Sequence, residues 1–215
     1  MIRFLVRLFL LVIMLLLAAL VYAFWPRTGD MRGFDADAVA RLETVTWRDY
    51  YERDYKDLTL QLYKLHHDLY HFSPADSVQL AIAAANAAKY FQPTTSREDA
   101  QIALPELIKY YSILRDKSGE RFDSAKVAAS ELDWWQIRRE TNAPEKYGAT
   151  IARVTEELFG TANPSITQAA LERARMMRYR DDRRDGKMQA SDWTHIEQHL
   201  IESYRELKKG LALTP

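Results

Sequence analysis

Histidine gives the sharpest chemical spacing in this 215-residue sequence. All five histidines fall in two clusters, His66, His67 and His71 in one and His195 and His199 in the other. His67/His71 and His195/His199 are each spaced by four, so on a helix each pair leaves from one side. Two such pairs supply the imidazoles of a zinc, copper or iron site. Asp68 and Asp192 stand three residues before His71 and His195, an echo of the carboxylate–histidine spacing of di-metal helical bundles. Helical geometry opposes that use. At 100° per residue, His67 and His71 lie roughly 200–240° from the Leu65 stripe, and His195 and His199 stand similarly opposite Leu200, whereas bundle metal sites project inward. The sequence therefore predicts solvated or capping histidines, mostly exposed and not joined in one site. A metal site at His67, His71, His195 and His199 is the alternative. Asp192 reads as a first-turn carboxylate and His71 as a last-turn cation or donor, both suited to the helix dipole. His66 flanks Leu62 and Leu69 and is expected to be partly buried.

A second constellation runs Glu131-Leu132-Asp133-Trp134-Trp135-Gln136-Ile137-Arg138-Arg139-Glu140. Its carboxylates, indoles and guanidinium groups are the materials of a ligand pocket, with Trp134 and Trp135 as walls and Arg138 or Arg139 pairing an anionic group. The plainer reading is two core tryptophans on a helix whose charges pair at four-residue spacing. Trp47, Tyr50, Tyr51 and Tyr55 divide in the same way, between core aromatics with phenols at the rim and an interaction surface. Third comes the basic stretch Arg173, Arg175, Arg178, Arg180, Arg183, Arg184 and Lys187. Glu172, Asp181, Asp182 and Asp185 are interleaved with it, which favours a self-paired, solvated face over a site for anionic lipid or nucleic acid.

Composition narrows the classes further. An apolar fraction of 47% with 30 basic and 30 acidic residues excludes disorder as the dominant state and leaves no net field to attract nucleic acid, so no nucleic-acid partner is expected. The absence of cysteine excludes disulfides, iron–sulfur clusters and thiolate zinc. The sequence has no glycine-rich phosphate loop, dinucleotide fingerprint, Gly-x-Ser-x-Gly elbow or His-Glu-x-x-His. No cofactor and no reaction are indicated.

The elements that position these residues read as helical almost throughout. Asp35 or Asp37 caps a long helix to about Phe72, with the stripe Trp47, Tyr51, Tyr55, Leu58, Leu62, Leu65, Leu69 and Phe72. Ser73-Pro74-Ala75-Asp76 opens an alanine-rich helix to about Phe91. Ser96 with Asp99 opens the next, which Pro105 kinks or breaks near Leu104 before it ends at Gly119. Helices follow from Asp123 or Ser124 to near Asn142, from Pro144 to Gly160, and from Asn163-Pro164 to about Asp185. A last one is capped by Ser191 and carries Trp193, Ile196, Leu200, Tyr204 and Leu207. Gly119, Gly160 and Gly186 fall where a left-handed C-terminal cap wants glycine. The expected fold is all-α, a compact bundle of about seven helices over residues 35–215. The proline-marked starts hint at a helical-hairpin array of the tetratricopeptide type, but the spacing is irregular and its signature positions do not recur.

Residues 1–25 differ from everything after them. Residues 8–25 carry no charge and rise about 27 Å as a helix, close to a hydrocarbon core of about 30 Å. Residues 1–25 read as a transmembrane signal anchor, or as a signal peptide cleaved after Val21-Tyr22-Ala23. Phe24 and Trp25 extend the apolar run to the interface and favour the anchor. Residues 26–34 form a polar linker. Arg3 and Arg7 before the span favour N-in, C-out, with the domain outside the cytoplasm.

The runs Gly33-Phe34-Asp35-Ala36-Asp37-Ala38-Val39-Ala40, Trp47-Arg48-Asp49-Tyr50-Tyr51, Ala103-Leu104-Pro105 and Glu131-Leu132-Asp133-Trp134-Trp135 resemble a set of bacterial helical proteins with an N-terminal hydrophobic segment and no attached activity. The resemblance covers the domain from Gly33 onward. It implies a bacterial, envelope-associated accessory protein, which the anchor reading places in the cytoplasmic (inner) membrane, and it supplies no catalytic residue. The function expected is a membrane-anchored, non-catalytic module that binds a protein partner. The alternative is an enzyme or sensor holding a metal or small anionic ligand in the bundle. Full-length protein is expected to stay in membranes after alkaline carbonate washing, with its domain digested by protease added outside the cytoplasmic membrane. A mature N-terminus at Phe24 would mark a secreted or periplasmic product of signal cleavage instead.

Overall fold

The computed structural model describes residues 2–141, 143–183 and 188–213, and these form helices and connecting turns with no strand among them. Helix α1, Ile2–Phe24, is apolar and buries no side chain against the rest of the protein; it is long and apolar enough to cross a membrane or to serve as a signal sequence. After it come α2 (Ala36–Glu52), α3 (Tyr55–Lys64), α4 (Pro74–Phe91), a one-turn α5 (Arg97–Ala100), α6 (Leu104–Ser118), α7 (Ser124–Glu140), α8 (Pro144–Phe159), α9 (Pro164–Asp181) and α10 (Ala190–Ala212).

Side-chain caps set most of these starts. Asp35 accepts from the Ala38 N–H at 2.8 Å, Ser73 from Asp76 at 3.1 Å, Ser96 from Asp99 at 3.0 Å and Asp123 from Ala125 at 2.9 Å. Asn163 does the same for Ser165 and Ile166 at 3.1 and 3.2 Å. Each cap satisfies amides that the first turn leaves without a helical partner. Gly119 and Gly160, at φ 77° and 64°, close α6 and α8 in the left-handed conformation. The break near Pro105 is a 3₁₀ turn over Gln101–Ala103 before α6. The last helix starts at Ala190, ahead of the expected Ser191 cap, because the Asp192 carboxylate accepts from the Gln189 N–H at 2.8 Å. The stops expected at Asn142, Asp185 and Gly186 lie outside the described residues, as do Arg184 and Lys187.

The long helix expected to reach Phe72 is two helices and a π-helical turn. Arg53 takes the left-handed conformation at φ 61°, and Asp54 caps α3 by accepting from the Asp57 N–H at 3.1 Å. The break preserves the inward face, so Trp47 and Tyr51 before it and Leu58, Leu62 and Leu65 after it look into one interior. At the far end the chain widens into the π turn Leu65–Leu69, and His71 leaves it at φ 60°.

Eight longer helices of the described residues make a closed ring. Each of α2, α3, α4, α6, α7, α8, α9 and α10 packs on the next, and α10 packs back on α2. Successive helices alternate in direction, so α2, α4, α7 and α9 end at one rim and α3, α6, α8 and α10 at the other. The linker is docked at the second rim. The Gly29 N–H donates to the Lys117 carbonyl at 2.8 Å and Asp30 to Tyr70 at 2.7 Å, while Arg32 pairs with Glu120 at 2.7 Å. Gly29 crosses the Phe72 ring so closely that a Cβ there would stand 2.3 Å from it. Met31 and Phe34 are 8% and 2% exposed and close the floor of the ring.

Residues 26–215 are therefore expected to fold alone as a soluble helical monomer with a cooperative melt. Starting instead at residue 35 removes Met31, Phe34 and the Arg32–Glu120 pair and is expected to cost about 4 kcal/mol, from roughly 1.5–3 kcal/mol per buried side chain. Urea denaturation of the two fragments, followed by circular dichroism, checks this; equal midpoints would show that the linker contributes nothing.

Candidate functional site

The ring encloses a cavity of about 800 Å³. Its rim toward solvent includes the exposed Arg139 and Asp182, with Tyr50, Tyr51 and Gln92 beside them. The mouth thus lies at the C-terminal ends of α2, α4, α7 and α9, away from the linker. The walls carry Trp47, Tyr110, Tyr111, Trp134, Trp135 and Tyr204, with Ala84 and Ala88 of α4 between them. This interior is aromatic and polar at once, as ligand cavities are, with a few placed polar groups on a largely apolar wall.

Three polar clusters organise it. Glu43 of α2 accepts from the Trp47 indole at 2.8 Å, from Arg173 of α9 through both terminal nitrogens, and from the Tyr204 hydroxyl of α10. Glu131 of α7 accepts from the Trp135 indole at 2.8 Å and from the Tyr111 hydroxyl of α6 at 3.2 Å. Arg138 of α7 grips Asp181 at the end of α9 through Nε and Nη2, at 3.1 and 2.8 Å, and Nη2 also donates to the Tyr51 hydroxyl at 2.7 Å. Burial raises the Glu131 carboxyl above its ordinary value, against the pull of the Trp134 indole and Arg173. It also pushes the Tyr110 and Tyr111 phenols well up, so both stay neutral.

Trp134, Trp135 and Arg138 come together on the cavity wall. Trp134 is buried, and Trp135 meets it edge to face at 6.2 Å and Phe91 at 5.0 Å. Arg138, expected to face an anionic ligand, already holds the Asp181 carboxylate. Glu131 stands in the second constellation as one of its carboxylates without a role of its own, and Glu43 was not singled out by sequence. The signal was present: a glutamate four residues before a tryptophan occurs at 43/47 and again at 131/135.

The histidines take three separate situations. His66 is fully buried, more than expected, because the π turn rotates it inward. Its Nδ1–H donates to the Leu62 carbonyl at 2.6 Å, which leaves Nε2 to accept from the Tyr110 hydroxyl at 3.1 Å. His67 is half-buried, stacked on Tyr63 and bonded to Asp68 at 2.7 Å, while His71 stands exposed on its turn. The two no longer share one side of a helix. His195 and His199 are also half-buried, a correction to their expected exposure. His199 Nδ1–H donates to Glu172 at 3.0 Å, and the two Nε2 atoms stand 3.2 Å apart. Burial, then the neighbouring His199, lowers the His195 pKa. Among the described residues no three histidine, aspartate or glutamate side chains gather in a metal-binding arrangement.

The basic stretch is laced by its own acids only in part: Arg175 pairs with Glu172 and Arg178 with Asp182, whereas Arg173 pairs with Glu43 of α2, Arg183 pairs with Asp192 of α10, and Arg180 lies over the Tyr51 ring at 3.4 Å. No protein-family model, curated protein or solved structure matches this chain.

His66 should make the fold acid-sensitive. Burial depresses its pKa from 6.5 to about 4, so its contribution is complete above pH 6.5 and is lost as pH falls. The loss reaches about 2 kcal/mol by pH 5. Glu131 acts in the opposite sense, since its raised carboxyl costs stability as pH rises. The difference between the wild type and His66→Phe in urea melts at pH 7 and pH 5 isolates the histidine; identical pH slopes would refute its titration.

Proposed function

We propose that the chain is a membrane-tethered binding domain that holds a small organic ligand inside its helix ring. The observation that supports this reading is the 800 Å³ cavity whose wall mixes aromatic rings with bonded carboxylates and guanidinium groups. A domain of this size packs its centre solid unless the space is used, and polar groups are costly to keep there without purpose. The floor is closed by Met31 and Phe34, whereas the mouth opens away from the linker, so a ligand arrives from the aqueous side. The reading keeps the non-catalytic, envelope-associated role expected from the sequence and moves its recognition from the outer surface to the interior. A partner protein would then sense the loaded ring. Placement in a bacterial inner membrane, with the domain outside the cytoplasm, belongs to this proposal and is supported by α1 and its flanking arginines.

Full-length protein in lipid nanodiscs is expected to bind the fluorescent probe 1-aminoanthracene saturably at one site. Ala84→Phe with Ala88→Phe fills the cavity from α4 and should weaken binding at least tenfold while the helical melt persists. Failure of the probe to saturate, or unchanged affinity in the filled variant, would overturn the cavity as a ligand site.

A further inference from the structure

Glu43 and Glu131 occupy matching places in the ring. In ring order α2 stands first and α7 fifth among eight, so the two helices are half a ring apart. Each glutamate accepts a 2.8 Å bond from the tryptophan four residues on. Each is also reached by a tyrosine from the preceding helix of the ring, Tyr204 of α10 in one case and Tyr111 of α6 in the other. The match fails at the third partner. Glu43 receives Arg173 from α9, two places before α2. The helix two places before α7 is α4, and it presents Ala84 and Ala88 to the cavity instead of a cation. Among the described residues Glu131 makes no ion pair and accepts from neutral donors only. The nearby cations are already taken: Arg138 is held by Asp181, Arg139 by the carbonyls of Phe91 and Thr94, and Arg173, whose charge reaches Glu131 without bonding to it, is paired with Glu43.

Resting on the reading of the cavity as a ligand site, we infer that its ligand is an organic cation whose ammonium group docks on Glu131, where Arg173 stands at Glu43. A buried carboxyl without a counter-ion is an incomplete pair, and a cation restores the balance the other half of the ring already has. The surroundings suit a desolvated ammonium. Trp135 and Tyr111 hold Glu131 and turn aromatic surface to the same space, which attracts cations through the ring quadrupole. The mouth adds to this, since four helices end there and their C-terminal carbonyl dipoles favour positive charge.

The test uses three naphthyl compounds of one shape and different charge, titrated calorimetrically into full-length protein in nanodiscs. 1-Naphthylmethylamine is expected to bind at least tenfold more tightly than 1-naphthylmethanol or 1-naphthoate. Glu131→Gln should bring the amine down to the affinity of the alcohol measured in the same variant. The comparison within the wild-type protein needs no variant and stands if Glu131→Gln fails to fold. Equal binding of all three, tighter binding of the carboxylate, or an amine preference that survives Glu131→Gln would overturn the cation assignment while leaving the cavity reading intact. Binding by none of the three would overturn both.

Discussion

Arg173 of α9 brings together Glu43 of α2 and Tyr204 of α10, and closure of the ring depends on that meeting. The three helices come from opposite ends of the domain, and no local sequence signal joins them. A buried ion pair adds little net stability, because desolvation of both charges offsets their attraction. Its value lies in what it forbids. A compact arrangement that buried one of these charges without the other would cost about 3–5 kcal/mol, so compact alternatives that keep α9 from α2 are disfavoured. Phe34 extends the same junction, edge to face with Tyr204 at 5.8 Å, and its carbonyl accepts from Lys208 at 2.7 Å. The floor of the cavity and the seam of the ring are thus one structure.

Helix starts were legible in the sequence because a cap is a local device. Ser73-Pro74, Ser96 with Asp99, Asp123 and Asn163-Pro164 each announce a first turn that needs no tertiary contact to be understood. The break at Arg53 was also local, with Asp54 and Asp57 spaced as a cap. It was masked because the apolar stripe from Trp47 to Leu65 runs through it in phase. The wheel argument failed for His67 and His71 for a related reason: the π turn Leu65–Leu69 and the left-handed His71 depart from an ideal helix, so a 100° step no longer places the two on one side. Ring closure and the docked linker were not legible at all, since both rest on contacts between residues more than eighty positions apart, Arg32 with Glu120 and Glu43 with Arg173.

The candidate site was half legible. Trp134, Trp135 and Arg138 are legible as a group and do line the cavity, whereas Glu131 is legible only as one carboxylate of the same run, without its bond to Trp135. A glutamate on a helix reads as a solvated charge unless its neighbour four residues on is seen as a donor to it. The recurrence at 43/47 and 131/135 carries that information. It is weak as a motif, and it gains meaning only once α2 and α7 are seen to face each other across one space.

The two halves then explain each other. The Glu43 half shows what a complete arrangement is in this fold: carboxylate, indole, phenol and a cation, all supplied by the chain. The Glu131 half repeats the first three, and the cation is replaced by the small side chains of α4. Alanine there has a second consequence, because short side chains on one helix keep the cavity from filling while the helices on either side stay in contact. The same substitution of alanine for a long side chain that leaves Glu131 without a counter-ion also makes the room a ligand would need. Space and unmatched charge arise together at one point of the ring, which is the physical ground for placing recognition inside the fold.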